Sequence, residues 1–188
     1  MSKNLREFVD KDHRVMSDFY DLCERYNERN KASIKTETRR SIEEDPDFLD
    51  SYLILYQILE DKGDLNKAEK VLDEACRRAI ALITDKDGNW PNVLERVWLE
   101  NRHIIRTILN KALLLWRKEK VGNPWICLGN FLKTNPNDSV EARYYILAIR
   151  MNMSFEEFEN RFNKSGYYDS FIGWYGLNAG SPYRLNTL

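Results

Sequence analysis

Cysteine is scarce in this chain: Cys23, Cys76 and Cys127 are odd in number and widely spaced, which is neither a disulfide framework nor a zinc pattern. Each reads as a small core residue. Long apolar runs are also missing, so no signal peptide or membrane span is expected and a cytoplasmic location follows as the default. An excess of one charge sign is lacking too, since 29 basic and 30 acidic residues leave a formal net charge of -1. Such a balance offers no global field to gather nucleic acid or an anionic membrane, so neither is expected as a partner.

Chemical motifs are equally sparse. There is no glycine-rich phosphate loop, no Ser-x-Gly nucleophile elbow and no paired metal histidines. Asp85-Lys86-Asp87-Gly88 begins like a calcium loop but lacks the third acid before the glycine and the closing glutamate. His13 and Cys23 lack ligand spacing. The Asn-x-Ser triplets at Asn137, Asn152 and Asn163 carry no weight without a secretory signal. The expectation is a protein with no catalytic residue, no cofactor and no metal.

What is present is helical periodicity. The 188 residues fit one domain, which at this size buries roughly 70% of its unfolded surface. Hydrophobic content of 43% against 31% charged reads as globular. Leu5, Phe8, Val9, Met16, Phe19, Tyr20, Cys23 and Tyr26 recur at helical spacing and predict an amphipathic helix across the N-terminus. A polar break at 27–30 precedes a second helix over 31–44, which Asp45-Pro46 ends. A helical pair follows at 49–80, with Tyr52, Leu55, Tyr56 and Leu59, then Gly63-Asp64, then Ala68, Leu72 and Ala75. Gly63 stands where a left-handed helix end is needed. After the turn-rich 84–91, a long helix is predicted over 92–118 and is expected to be buried on most sides. Shorter helices follow over 125–133, 140–151 and 154–162, with Asp138 or Ser139 as a cap.

The pair at 49–80 has echoes. Ile105 lies 56 residues after Leu49, one unit of about 34 residues plus an insertion of 22, and Ser139 lies 34 residues after Ile105. This gives one domain over 1–188, with units at about 15–48, 49–82, 105–138 and 139–165. The insertion falls at about 83–104 and a tail at 166–188. In that tail Gly166, Gly173, Gly176 and Gly180 alternate with aromatic residues. It is expected to fold back as a cap over the last unit, the alternative being a binding element.

On these residues the chain resembles the tetratricopeptide-repeat family over 15–162. Asp45-Pro46-Asp47-Phe48-Leu49-Asp50, Trp98-Leu99-Glu100-Asn101-Arg102 and Leu132-Lys133-Thr134-Asn135-Pro136-Asn137-Asp138 look like an uncharacterised bacterial branch related to the suppressor-of-tumorigenicity 7 group. That branch usually places proline where this chain has His103, and Asn-Gln-Gly where it has Ser139-Val140-Glu141. The resemblance implies an all-α, right-handed helical-repeat solenoid that binds a protein or peptide in a concave groove. By position, the groove residues it implies are Leu53, Gln57 and Glu60, then Arg106, Asn110, Leu113 and Arg117, then Arg143, Leu147 and Arg150. Relatives that clamp a terminal carboxylate with Asn and Arg make Arg106, Asn110 and Arg143 candidates for an acidic partner. The plainer alternative is that these arginines pair with nearby acids such as Glu100 and Glu141.

Two other classes stand beside the scaffold. One is a small helical enzyme or cofactor binder with a pocket near Trp98, Glu100, Arg102 and His103, where Glu100 and His103 are three apart and able to meet on a helix. A buried polar network fixing the packing of the insertion accounts for the same residues more simply. The other is a structural subunit of a homo-oligomer, because unpartnered terminal units expose apolar surface.

Overall fold

The computed structural model describes residues 5–24, 31–118, 123–135, 137–164 and 167–168. Among them eight helices carry the fold: α1 (Met16–Glu24), α2 (Lys31–Glu44), α3 (Asp50–Asp61), α4 (Leu65–Ile83), α5 (Arg102–Arg117), α6 (Asn123–Thr134), α7 (Ala142–Arg150) and α8 (Phe155–Phe162). Two-residue strands β1 (Asn163–Lys164) and β2 (Tyr167–Tyr168) pair antiparallel. No described helix is long and apolar enough to cross a membrane. The expected polar break at 27–30 lies outside the described residues, as does the 166–188 tail apart from Tyr167–Tyr168.

The chain divides into two compact units, Met1–Lys111 and Ala112–Leu188, with the boundary inside α5. In the first unit α1 packs on α2, α2 on α3 and α3 on α4. The α3–α4 hairpin follows from its sequence. Ala68, Leu72, Ala75, Ala79 and Ile83 form one buried stripe along α4, and Tyr52, Leu55, Tyr56 and Leu59 form one along α3, whose Ile58 clusters on another side with Leu22 of α1 and Ile34 of α2. Burial of this kind stabilises by about 1.5–3 kcal/mol for each large apolar side chain. Gly63 reverses the chain at φ 77°, with Gly63 N–H donating to the Glu60 carbonyl and Asp64 N–H to the Leu59 carbonyl. That bond pair ends a helix on a left-handed residue, a conformation costly for any side chain with a Cβ.

Two sequence expectations fail in this unit. The N-terminal helix begins only at Met16, and residues 5–15 instead form an irregular strap, with Leu5 68% and Val9 45% exposed. The helix predicted over 92–118 begins only at Arg102, and Val97, Trp98 and Leu99 are exposed while Leu94 is buried. The physical reason is shared, because the strap and the insertion spend their backbone groups on one another. Asn92 and Val93 N–H donate to the Arg6 carbonyl and Phe8 N–H donates to the Val93 carbonyl. The Arg6 guanidinium closes the insertion's other end on the Ile83 and Asn89 carbonyls, at 3.0 and 2.7 Å. Asn101 is fully buried between the two segments, accepting from Asp10 N–H and donating to the Phe8 and Glu95 carbonyls.

The second unit has an aromatic core. Trp116 meets Phe155, Phe158 and Tyr145 at centroid distances of 5.4, 5.2 and 6.2 Å, and Phe162 stacks on Phe158 at 5.0 Å. Phe158 and Phe162 are large for the second helix of a repeat, and this cluster is what accommodates them. Burial first, then Glu141, Glu159 and Asp138 nearby, push the Tyr145 phenol up to about 12. The expected cap at Asp138 or Ser139 is shifted, since α7 starts at Ala142 with Glu141 as its N-cap and no side-chain cap bond, but the Asp138 carboxylate still accepts from the Ala142 and Arg143 N–H groups at 2.8 and 3.2 Å.

Candidate functional site

The first unit contains an apolar pocket of about 260 Å³ lined by Phe19, Tyr20 and Cys23 of α1, Asp50, Leu53 and Ile54 of α3, and Arg106 of α5. Helical spacing brings these together, since Leu53 and Ile54 lie one turn beyond Asp50 and Tyr20 and Cys23 share a face of α1. The rim is polar. Asp50 is a buried carboxylate gripped by Arg106 through both Nε, at 3.0 Å, and Nη2. The Tyr20 hydroxyl joins them, donating to Asp50 at 3.3 Å and accepting from Arg106 at 3.2 Å. Burial opposes charge on Arg106, but Asp50 and Tyr20 outweigh it and hold the guanidinium protonated. Burial, reinforced by Asp50, pushes the Cys23 thiol up, so it lines the pocket as a neutral apolar group.

Of the groove residues implied by position, Leu53 and Arg106 therefore meet at one concavity. Gln57 is exposed one turn along α3, where it donates to Asp61 at 2.8 Å, while Glu60 accepts from Tyr56 at 3.0 Å. Asn110 is exposed and donates back to the Arg106 carbonyl. In the second unit Leu113 is half-buried, and the exposed Arg117 edges an opening of about 470 Å³ with Trp116, Phe155, Glu156 and Glu159. Arg143 binds Asp138 at 2.6 Å and Arg150 lies over the Trp125 ring at 5.1 Å. Leu147 is fully buried and belongs to the core, not to a surface. The arginines do pair with acids, but with Asp50 and Asp138 rather than Glu100 and Glu141. Asp138 gains this reach from its left-handed backbone at φ 46°.

The four residues of the alternative pocket face different ways. Trp98 is 43% exposed and donates its indole N–H to Glu7 at 2.8 Å, and Arg102 donates to the Arg96 carbonyl. Glu100 precedes the first residue of α5, so the three-residue helical spacing to His103 does not apply.

His103 points inward to a network whose other members sequence reasoning missed. Asp10 Oδ2 lies 3.0 Å from His103 Nε2 and 3.0 Å from His13 Nε2, and Asp45 Oδ2 lies 2.7 Å from His13 Nδ1. Leu49 N–H donates to His103 Nδ1 at 3.0 Å. Both imidazoles are buried against Phe48, itself fully buried, at 5.4 Å each. Burial tends to raise Asp10 and Asp45, but the hydrogen bonds from His103 and His13 on the first, and from His13 on the second, hold both carboxyls below the usual range. Ionised carboxylates only accept, so an oxygen on each ring nitrogen of His13 is an arrangement that fits a ring protonated on both. His103 accepts on Nδ1 and so carries its proton on Nε2.

Asp10, His13 and His103 place their ligating atoms within 4.8 Å of one another, close enough to consider a metal. The proton positions argue against one. Metal-bound imidazole donates its second nitrogen's N–H to an acceptor, as His13 does to Asp45, whereas His103 Nδ1 receives a proton donor and leaves no lone pair on Nε2.

The chain matches no family model, no curated protein and no solved structure.

Proposed function

We propose that the chain is a helical-repeat scaffold of the tetratricopeptide type that binds a protein or peptide without catalysis. The reading draws support from the two helices found in each expected unit and from the in-order packing of α1 through α4. The observation that carries it is the pocket at Leu53 and Arg106, two groove positions that converge on one apolar concavity with a polar rim. Its chemistry specifies the partner further. Arg106 is already matched by Asp50, so the pocket takes an apolar side chain, and the Asp50–Tyr20–Arg106 rim offers hydrogen bonds to the partner's backbone.

Selection of displayed peptides on the purified protein tests this, followed by affinity measurement with Leu53→Glu. The expected outcome is enrichment of sequences with a Leu, Met or Phe anchor and an affinity loss of about tenfold or more in the variant, the effect of about 1.4 kcal/mol, at unchanged melting. Failure to enrich, or equal affinity of the variant, would overturn the reading.

A further inference from the structure

The three polar groups on the pocket rim stand on three helices, and the first turn of each is tied to the buried histidine network. The Met16 N–H that opens α1 donates to the His13 carbonyl at 2.9 Å, and Tyr20 lies one turn further along. Leu49 N–H, held by His103, immediately precedes Asp50, the first residue of α3. His103 itself sits in the first turn of α5, and Arg106 follows three residues later on the same face. We propose that the Asp10–His13–Asp45–His103 network is a proton-dependent latch that sets the Tyr20–Asp50–Arg106 rim and so regulates what the pocket binds. The inference rests on the pocket being the binding site.

Its physics lies in the count of protons. His13 is completely buried at its side chain, with a carboxylate oxygen at 2.7 Å on one nitrogen and another at 3.0 Å on the other. Removing one proton sets a ring lone pair against a carboxylate lone pair, and protonating Asp10 or Asp45 removes an acceptor. Either change frees a leg of the latch. The groups facing the ring define its field: Asp10 from the strap, Asp45 just after α2, and His103 from α5, with the exposed Lys11 acting on Asp45. Asp47, beside Asp45, is occupied by Arg78 at 3.2 Å. Arg14 and Asp12 of the strap are exposed. A buried ring between two carboxylates, packed against Phe48 and His103, is the element the latch would switch.

The wild-type protein supplies the first test. The Arg106 Nε–H, bonded to Asp50, and the His13 ring nitrogens are followed by NMR across a pH titration. The latch requires the Arg106 signal to move with the midpoint of the His13 ring, and independent movement or no movement would overturn it. The second test uses peptide-resolved iodoacetamide labelling of Cys23, inside the pocket, with Cys76 of α4 as the internal reference. Asp45→Asn is expected to change the Cys23 to Cys76 ratio by about fivefold or more, the lower range of allosteric coupling. Trp98→Phe, which removes the insertion's bond to Glu7 of the strap, leaves that ratio unchanged. An equal response from both variants, or none from Asp45→Asn, would contradict the coupling. If Asp45→Asn does not fold, the wild-type titration decides alone. Neither readout uses a peptide: lost coupling with intact peptide binding sinks only the latch, and intact coupling with no peptide binding sinks only the scaffold.

Discussion

The α3–α4 hairpin and the strap with its insertion lie in the same unit and are held by different forces. The hairpin is closed by an apolar stripe, Leu72 and its alanine neighbours against α3, and by one left-handed glycine. The strap leaves Leu5 and Val9 exposed, as the insertion does Val97, Trp98 and Leu99, and it is fastened by hydrogen bonds and one buried histidine set between two carboxylates. Apolar burial tolerates changes of pH and rearranges softly, whereas a buried charge is satisfied only while every partner keeps its proton state. The hairpin is therefore a local element, and the strap's bonds to the α4 end and the insertion reach residues 77 to 93 positions away.

The sharpest way to break the comparison is to remove one side chain from each region. His13→Ala leaves two half-buried carboxylates without their shared partner and is expected to cost about 3 kcal/mol, the low end for breaking a buried pair. Leu72→Ala, fully buried in the hairpin, is expected to cost about 2–5 kcal/mol through lost burial and a cavity. Denaturant melts measure both. The distinguishing result is that the His13→Ala loss depends on pH and the Leu72→Ala loss does not.

A smaller effect appears on the acid side. Asp10 and Asp45 titrate below their unfolded values, so their contribution is complete above about pH 4 and is lost as pH falls through the folded values. Melting temperatures of wild type and Asp45→Asn should converge on acidification. A gap that stays constant at every pH would show that Asp45 is not held ionised by His13.

The same contrast explains what the sequence made legible. Tyr52, Leu55, Leu59, Ala68, Leu72 and Ala75 announce their hairpin because helical periodicity is a local property, and Gly63 announces its turn because few residues accept that φ. The pocket was half legible: repeat spacing put Leu53 and Arg106 at groove positions, but Phe19, Tyr20 and Cys23 read only as one apolar face of α1. Leu147, a groove position by repeat spacing, is fully buried in the second unit, whose core also holds Phe158 and Phe162. The network was not legible. His13 finds Asp45 32 residues away, and Asp10 finds His103 93 residues away, distances at which no local pattern connects a histidine to its partner. The strap looked helical for a related reason, since its apolar spacing fits a helix while its backbone bonds go to the insertion.

The central claim is that a charged imidazole buried beneath Phe48 fastens the strap, and side-chain nitrogen NMR of the two histidines in the intact protein tests it most directly. The account predicts that near neutral pH His13 carries protons on both ring nitrogens, that His103 carries one on Nε2 alone, and that added zinc leaves both spectra unchanged. A neutral His13, or a one-to-one zinc complex that moves both rings, would contradict it.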